Sequence, residues 1–233
     1  DKNFVFASEE SFLREAFVDY SAVSLPPYSY IKYPQLKSGD LTFKQVSHLP
    51  TVNRNTALVC ASGGIDSTIA AYVLKRDGIS VELVHFDYNQ KAEKQEWVAV
   101  QEISKALNAP CRKIDLGWLG NLGKSALTDN TIPHPGSKRE HITSTIMWVP
   151  ARNLVMLSSL MAIAESEGVA YISAGFSLAE ESQYPDNSIE FLRSMNRISD
   201  YGTLSRPKLL MPLQRLMKQE EIVLATYLGV PLE

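Results

Sequence analysis

The sequence predicts an α/β fold, an open and mainly parallel sheet with helices on both faces. Two observations carry that expectation. From Thr56 onward, short apolar runs of strand length alternate with longer segments of helical period, the order expected when helices cover a parallel sheet. The carboxyl ends of the runs feed irregular polar segments, and in open α/β sheets that edge is where ligands bind.

The elements follow in order. Residues 1–54 scatter aromatics and prolines without a period, as in Leu25-Pro26-Pro27-Tyr28, and are read as an N-terminal extension. It holds a short helix near Glu9 to Val18, capped by Ser8 or Ser11, and one or two edge strands. The main domain, 55–233, opens with a strand over 57–61 and a helix over 67–76 that Asp77-Gly78 closes. A strand over 81–86 and a helix over 91–107 follow, then a strand over 111–115. Residues 117–148 are too long and too rich in Gly, Pro, Asn, Thr and Ser for a simple connection, and read as a substrate-facing lid or binding loop. A helix from Arg152 or Asn153 to Glu167 ends at Gly168, and 169–173 is a strand. A second irregular segment, 175–186, precedes a helix over 189–199, a short run at 209–211, and a helix from Leu213 or Lys218 to Leu228.

With 233 residues, 45% of them hydrophobic and 21% charged, the chain can bury one sizeable core. A net charge of −3 offers no global positive field for nucleic-acid phosphates and disfavours a nucleic-acid substrate. Arg206, Lys208, Arg215 and Lys218 remain either a local phosphate-binding patch or a solvated face. The two cysteines, Cys60 and Cys111, sit in apolar runs without metal-ligand spacing, which fits buried hydrophobes in a reducing cytoplasm. No run approaches a membrane span, and the start Asp1-Lys2-Asn3-Phe4 lacks the order of a secretory signal. No membrane association or export is therefore expected.

One loop carries the chemistry. Ser62-Gly63-Gly64-Ile65-Asp66-Ser67 lies directly between a strand and a helix. Two adjacent glycines permit a sharp turn and close approach, while Ser62, Ser67 and the first N–H groups of the helix aim donors at one point. Such a nest holds an anion. The Gly-Lys-Ser/Thr of the Walker loop is missing, so a lysine-gripped terminal phosphate of that kind is not expected. The plainer alternative is a glycine-rich turn in which Asp66 and Ser67 are caps.

This loop resembles the pyrophosphate-binding loop of the PP-loop ATP pyrophosphatases, whose fold is adenine nucleotide alpha-hydrolase-like, or Rossmann-like. Within that superfamily four further segments are similar to the 7-cyano-7-deazaguanine synthases. Asp87-Tyr88-Asn89-Gln90-Lys91 resembles the family's Asp-Tyr-Gly-Gln-Arg, and Ile132-Pro133 with Val149-Pro150-Ala151-Arg152-Asn153 its Ile-Pro and Val-Pro-Gly-Arg-Asn. Ser182-Gln183-Tyr184-Pro185-Asp186 with Glu190-Phe191 resembles its Ser-Gly-Tyr-Pro-Asp and following Glu-Phe. Pro212-Leu213, Lys218 and Glu220 resemble its closing Pro-Leu and Lys-x-Glu. Asn89, Ala151 and Gln183 each stand where those motifs have glycine.

The resemblance implies an ATP-dependent carbon–nitrogen ligase, releasing AMP and pyrophosphate or ADP and phosphate. It would adenylate 7-carboxy-7-deazaguanine and convert it with ammonia to the nitrile used in queuosine biosynthesis. ATP would bind at Ser62, Gly63, Gly64, Ile65, Asp66 and Ser67, with Asp66 orienting the loop or a phosphate-bound Mg²⁺. Asp66, Arg152 and Lys218 would be catalytic, Arg152 pairing bidentately with a carboxylate or phosphate and Lys218 reaching a phosphate. The substrate would meet Tyr88, Gln90, Arg152, Asn153, Ser182, Tyr184 and Asp186, with Tyr184 stacking on the heterocycle and Asp186 accepting from its N–H groups. Surface or turn-forming roles stay open for Arg152, Tyr184, Asp186 and Lys218. Zn²⁺ is implied by the family, but its four-cysteine cluster would follow the last helix and this sequence stops at Leu232-Glu233, so either the chain is truncated or the site is lost. Other readings are a related adenylating enzyme with another amine acceptor, such as a protein partner docked through 1–54, a tRNA thiolase, and a non-catalytic nucleotide-binding module. A homodimer is left open.

Overall fold

The computed structural model of the protein describes residues 52–133, 145–177 and 184–231, together with the backbones of Ser29–Tyr30 and Lys44–Gln45. The expected helix near 9–18 lies outside the described residues, as do Ser182 and Gln183. The chain divides into two compact units, 1–49 and 50–233. In the first, β1 (Ser29–Tyr30) and β2 (Lys44–Gln45) pair antiparallel, Ser29 opposite Gln45 and Tyr30 opposite Lys44.

The second unit runs β3 (Asn53–Cys60), α1 (Ile65–Arg76), β4 (Ser80–Asp87), α2 (Glu93–Leu107), β5 (Cys111–Asp115), α3 (Gly117–Gly120) and α4 (Arg152–Glu167). It continues with β6 (Val169–Ser173), a 3-10 turn over Pro185–Asn187, α5 (Ile189–Gly202), β7 (Lys208–Leu210) and α6 (Lys218–Leu228). The sheet is wholly parallel, in the order β5-β4-β3-β6-β7. The chain therefore winds outward from β3 to one edge, crosses back, and winds from β6 to the other. The strand order reverses between β3 and β6, and at that switch point the loops after neighbouring strands part and leave a crevice.

Successive side chains of a strand point to opposite faces, so the central strands need apolar residues on both. Leu58, Val84 and Phe86 pack with Met156, Leu157 and Leu160 of α4 and Leu192 and Met195 of α5. Ala57, Val59 and Leu83 pack on the other side with Ala71 and Leu74 of α1 and Val100 and Leu107 of α2. A third cluster joins Ile69, Ala70 and Val73 of α1 to Ala225 of α6. It brings the first turn of α6 beside the first turn of α1, 152 positions away in sequence.

Strands β5 and β6 have the bounds expected from the sequence, and α4 runs from Arg152 to Glu167. Strand β3 starts earlier than expected, at Asn53, whose N–H donates to the Gly168 carbonyl at 2.6 Å. Two short elements interrupt the segments expected to be irregular, α3 and the turn at Pro185–Asn187. No helix among the described residues is long and apolar enough to cross a membrane.

Candidate active site

The loop Ser62–Ser67 leaves the end of β3 at the switch point. Gly63 has φ +76°, and a Cβ there would lie 2.7 Å from Ala99 Cβ and 3.0 Å from the Glu96 carbonyl oxygen. Both the turn and the contact with α2 therefore require glycine. Helix α1 begins at Ile65 without a side-chain cap on its first turn, so its leading N–H groups and the positive end of its dipole face outward as an anion seat. The hydroxyls behave differently from expectation. Ser67 Oγ and Thr68 Oγ1 donate to the Gly64 carbonyl at 3.0 and 2.9 Å, and Ser62 Oγ accepts from Gly64 N–H at 3.3 Å. Ser67 thus braces the loop, whereas the exposed Ser62 hydroxyl keeps its proton to donate.

The loop forms one wall of a cavity of about 490 Å³, within the size range of small-molecule sites. Tyr88 and Glu96, Arg152 and Asn153 at the start of α4, and Tyr184 and Asp186 before α5 line the rest of it, with Ser62, Gly64, Ile65, Asp66 and Ser67. Tyr88 is held by its own loop, where its N–H donates to Gln90 Oε1 at 2.8 Å and Gly120 of α3 packs against its carbonyl so closely that a Cβ would sit 1.8 Å away.

Arg152 lies over the Tyr88 ring at 5.8 Å and donates to Tyr88 Oη at 3.3 Å, and its Nε is 3.4 Å from Asn153 Oδ1. Among the described residues no carboxylate comes within 4.0 Å of its guanidinium. Asp186 is 8% exposed and its Oδ1 has no hydrogen-bond partner among the described residues. Burial pushes its carboxyl above the ordinary value, against the opposing pull of Arg152 and of hydrogen bonds from Asn153. One cavity therefore holds a guanidinium with no carboxylate at ion-pair distance among the described residues and a carboxylate with one oxygen that has no donor there. Both call for a ligand that carries the complement.

Two expected site residues are not brought to the cavity. The Gln90 amide is consumed internally, Nε2 donating to the Phe86 carbonyl at 3.1 Å and to Glu96 Oε2 at 2.8 Å. Gln90 thereby shapes the Tyr88 loop. Lys218 pairs with Asp66, and with the fully buried Glu221 at 3.1 Å. Its ammonium is thereby tied to two carboxylates. Burial pushes the Glu221 carboxyl up, Lys218 pulls it down and the neighbouring Asp66 adds to the rise. Lys208 pairs with Asp200, so two members of the expected basic patch are neutralised.

Positions 89 and 151, where the resembled motifs have glycine, explain themselves in the backbone. Asn89 has φ +63° and Ala151 φ +53°. The left-handed conformation is kept, tolerated by asparagine and strained in alanine. Ala151→Gly is expected to raise stability by about 0.5–1 kcal/mol, a melting-temperature gain of about 1–4 °C in a calorimetric scan.

Four residues that line or brace the site escaped the sequence reading. Glu96 holds Gln90, and Glu221 holds Lys218. His85 Nδ1 donates to the Ala61 carbonyl at 2.9 Å, while its ring lies 5.8 Å from that of Trp97. The fourth is Trp148, whose ring plane is within 14° of parallel to that of Tyr184, with centroids 6.4 Å apart. Cys60 also borders the cavity, but burial pushes its thiol up to about 12. It therefore stays protonated at neutral pH and lacks the thiolate that sulfur transfer needs. Among the described residues no three His, Cys, Asp or Glu side chains converge, and Cys60 and Cys111 lie on strands separated by β4.

The family model described as "Queuosine biosynthesis protein QueC" matches residues 56–233. The 7-cyano-7-deazaguanine synthase of Sulfolobus acidocaldarius is 37% identical over 217 residues, covering 91% of this chain and 46% of that protein. That of Saccharolobus solfataricus is 35% identical over 236 residues, covering 98% and 49%. The enzyme of the same name from Nitratiruptor sp. is 39% identical over 179 residues, covering 76% and 81%. The chain thus spans about half the length of the first two relatives. Among solved structures, the U34-tRNA thiolase NcsA of Methanococcus maripaludis superposes with a TM-score of 0.50 at 14% identity over 77% of this chain and 59% of that one. This is a likeness of fold.

Proposed function

The chain belongs to the family of the queuosine biosynthesis protein QueC, and from that premise we propose that it activates the carboxylate of 7-carboxy-7-deazaguanine with ATP and converts it with ammonia to 7-cyano-7-deazaguanine in the cytoplasm. The observation that carries the reading is Arg152, a guanidinium without a carboxylate partner among the described residues, in the same cavity as the uncapped start of α1. Arg152 holds the substrate carboxylate, and the loop holds the phosphates.

A carboxylate oxygen attacks the α-phosphorus of ATP, the α–β bridge breaks, and pyrophosphate leaves into the seat formed by the N–H groups of Ile65, Asp66 and Ser67. Ammonia then attacks the acyl carbon, gives up a proton, and expels AMP to leave the amide. The amide oxygen then attacks the α-phosphorus of a second ATP with loss of pyrophosphate, and departure of AMP with that oxygen and of the two N–H protons gives the nitrile. The orphan acceptor of Asp186 fits the N–H edge of the heterocycle, and Tyr184 fits its face. Asp66 borders the cavity and pairs with the Lys218 ammonium; it is the carboxylate that would hold Mg²⁺ once that pair opens, and the ion would neutralise triphosphate charge.

The test is incubation with ATP, Mg²⁺, 7-carboxy-7-deazaguanine and ammonium, followed by mass spectrometry. AMP, pyrophosphate and the nitrile are expected, with pyrophosphate release dependent on the acid. Accumulation of the acyl adenylate until some other amine is added would move the reading to transfer onto a different acceptor. Release of neither AMP nor pyrophosphate would reduce the chain to a nucleotide-binding module.

A further inference from the structure

We infer that Trp148 is a binding residue for the flat heterocycle of the acid, forming with Tyr184 the aromatic surface on which that ring lies. The inference rests on the functional reading above and deepens it.

The placement of Trp148 follows from its neighbours. Val149 is 3% exposed and anchored in the core beneath α4, which fixes the backbone one residue away from the ring. Trp148 itself is only partly buried and borders the cavity. A partly buried Trp at the rim of a cavity carries a large apolar face that gains by being covered.

The geometry then narrows what covers it. Because the Trp148 and Tyr184 planes differ by only 14°, a planar ring lying parallel to one is close to parallel to the other. A bulky or tetrahedral ligand would use neither face fully. The two segments are also built alike. Trp148 precedes Arg152 by four residues, and the Arg152 N–H closes the turn onto the Val149 carbonyl at 3.2 Å. Tyr184 precedes Asp186 by two, joined by the turn at Pro185–Asn187. Each segment therefore supplies one aromatic face and one charged group, a cation from the first and an acceptor from the second. The ligand class that uses all four is a planar heteroaromatic acid with an N–H donor edge. Stacking gives such a ring its orientation, and the two charged groups then set its position in the plane.

The experiment is calorimetric titration of 7-carboxy-7-deazaguanine into the wild-type protein and the variants Trp148→Ala, Trp148→Leu and Trp148→Phe, each checked for an unaltered melting curve and unaltered ATP affinity. Trp148→Ala and Trp148→Leu are expected to weaken binding of the acid about 10- to 100-fold, and Trp148→Phe to recover it to within about threefold. Leucine keeps most of the bulk but not the π face, so a loss in both variants reads stacking and not volume. Quenching of tryptophan emission by the acid is expected in the wild type and absent in Trp148→Phe, where Trp97 and Trp118 remain. In steady state the loss falls on KM for the acid, with kcat and KM for ATP little changed. Wild-type affinity in Trp148→Leu, or quenching that persists in Trp148→Phe, would overturn the inference and leave the functional reading standing. A wild-type protein that binds no acid would overturn both.

Discussion

Arg152→Met is expected to lower kcat/KM for the acid by about 10²- to 10³-fold while leaving the melting temperature unchanged or slightly higher. The two halves of that result come from one observation. Arg112, on the far side of the sheet edge, is a structural arginine: its two terminal nitrogens sit 2.6 Å from the Glu167 carboxylate and its Nε 2.7 Å from Glu82. Arg152 has no comparable partner among the described residues, only the Tyr88 hydroxyl at 3.3 Å and the Asn153 amide at 3.4 Å. Holding a cation partly out of water without a paired anion costs stability in the empty protein, and a bound carboxylate removes that cost. Methionine keeps the packing and removes the charge. Arg152→Lys is expected to recover less than a tenth of the loss, because an ammonium cannot make two parallel hydrogen bonds to one carboxylate. Steady-state kinetics with varied acid and a thermal melt decide it. An Arg152→Met variant that melts several degrees lower at near-normal kcat/KM would make Arg152 a structural residue and remove the anchor from the site.

The same contrast marks what the sequence can disclose. Strands at 111–115 and 169–173 and the helix at 152–167 were legible because their signals are local: apolar runs of strand length, and a helix closed by Gly168 in the left-handed region. The loop after β3 was legible for the same reason, since its position between strand and helix is read directly from the chain. The start of β3 was not, because Asn53 to Thr56 is polar and becomes strand by pairing, Asn53 with Val169 over a hundred positions away and Thr56 with Ser80. Nor was α3, a single turn with glycine at both ends, whose close approach to the Tyr88 carbonyl is a tertiary fact.

Side-chain roles divided along similar lines. Arg152, Asn153, Tyr184 and Asp186 do meet at one cavity, as residues at strand ends and helix starts should. In sequence Lys218 shows only its charge, and the long-range packing of α6 on α1 sets that charge between Asp66 and Glu221. In sequence Gln90 is a polar group in a motif, and its hydrogen bonds go to Tyr88, Phe86 and Glu96. Trp148 carries no local mark, for a tryptophan ahead of Val149-Pro150 reads as core until the tilt of Tyr184 is known.

Gly175→Ala is expected to disrupt the proposed anion seat by displacing its backbone, without changing any residue of the loop itself. Gly175 follows β6, and a Cβ there would lie 2.4 Å from Ser67 N, 2.5 Å from the Asp66 carbonyl carbon and 2.8 Å from Ser67 Cα. All three are backbone atoms at the first turn of α1, so no side chain can swing aside. Either the turn or the end of β6 must move by roughly the missing ångström, and a displacement of that size in a positioning element costs about 100-fold in rate. The overpacking itself costs about 1–3 kcal/mol of stability. Gly78→Ala separates the two effects. Gly78 has φ +82° at the other end of α1, with no atom within 4 Å of an added Cβ, so alanine there is strained by about 1–2 kcal/mol and clashes with nothing. Calorimetric titration with MgATP is expected to give wild-type affinity in Gly78→Ala and a loss of at least about 30-fold in Gly175→Ala, although both melt earlier. Equal ATP affinity in the two variants would mean that the tight seam between β6 and α1 does not set the phosphate site.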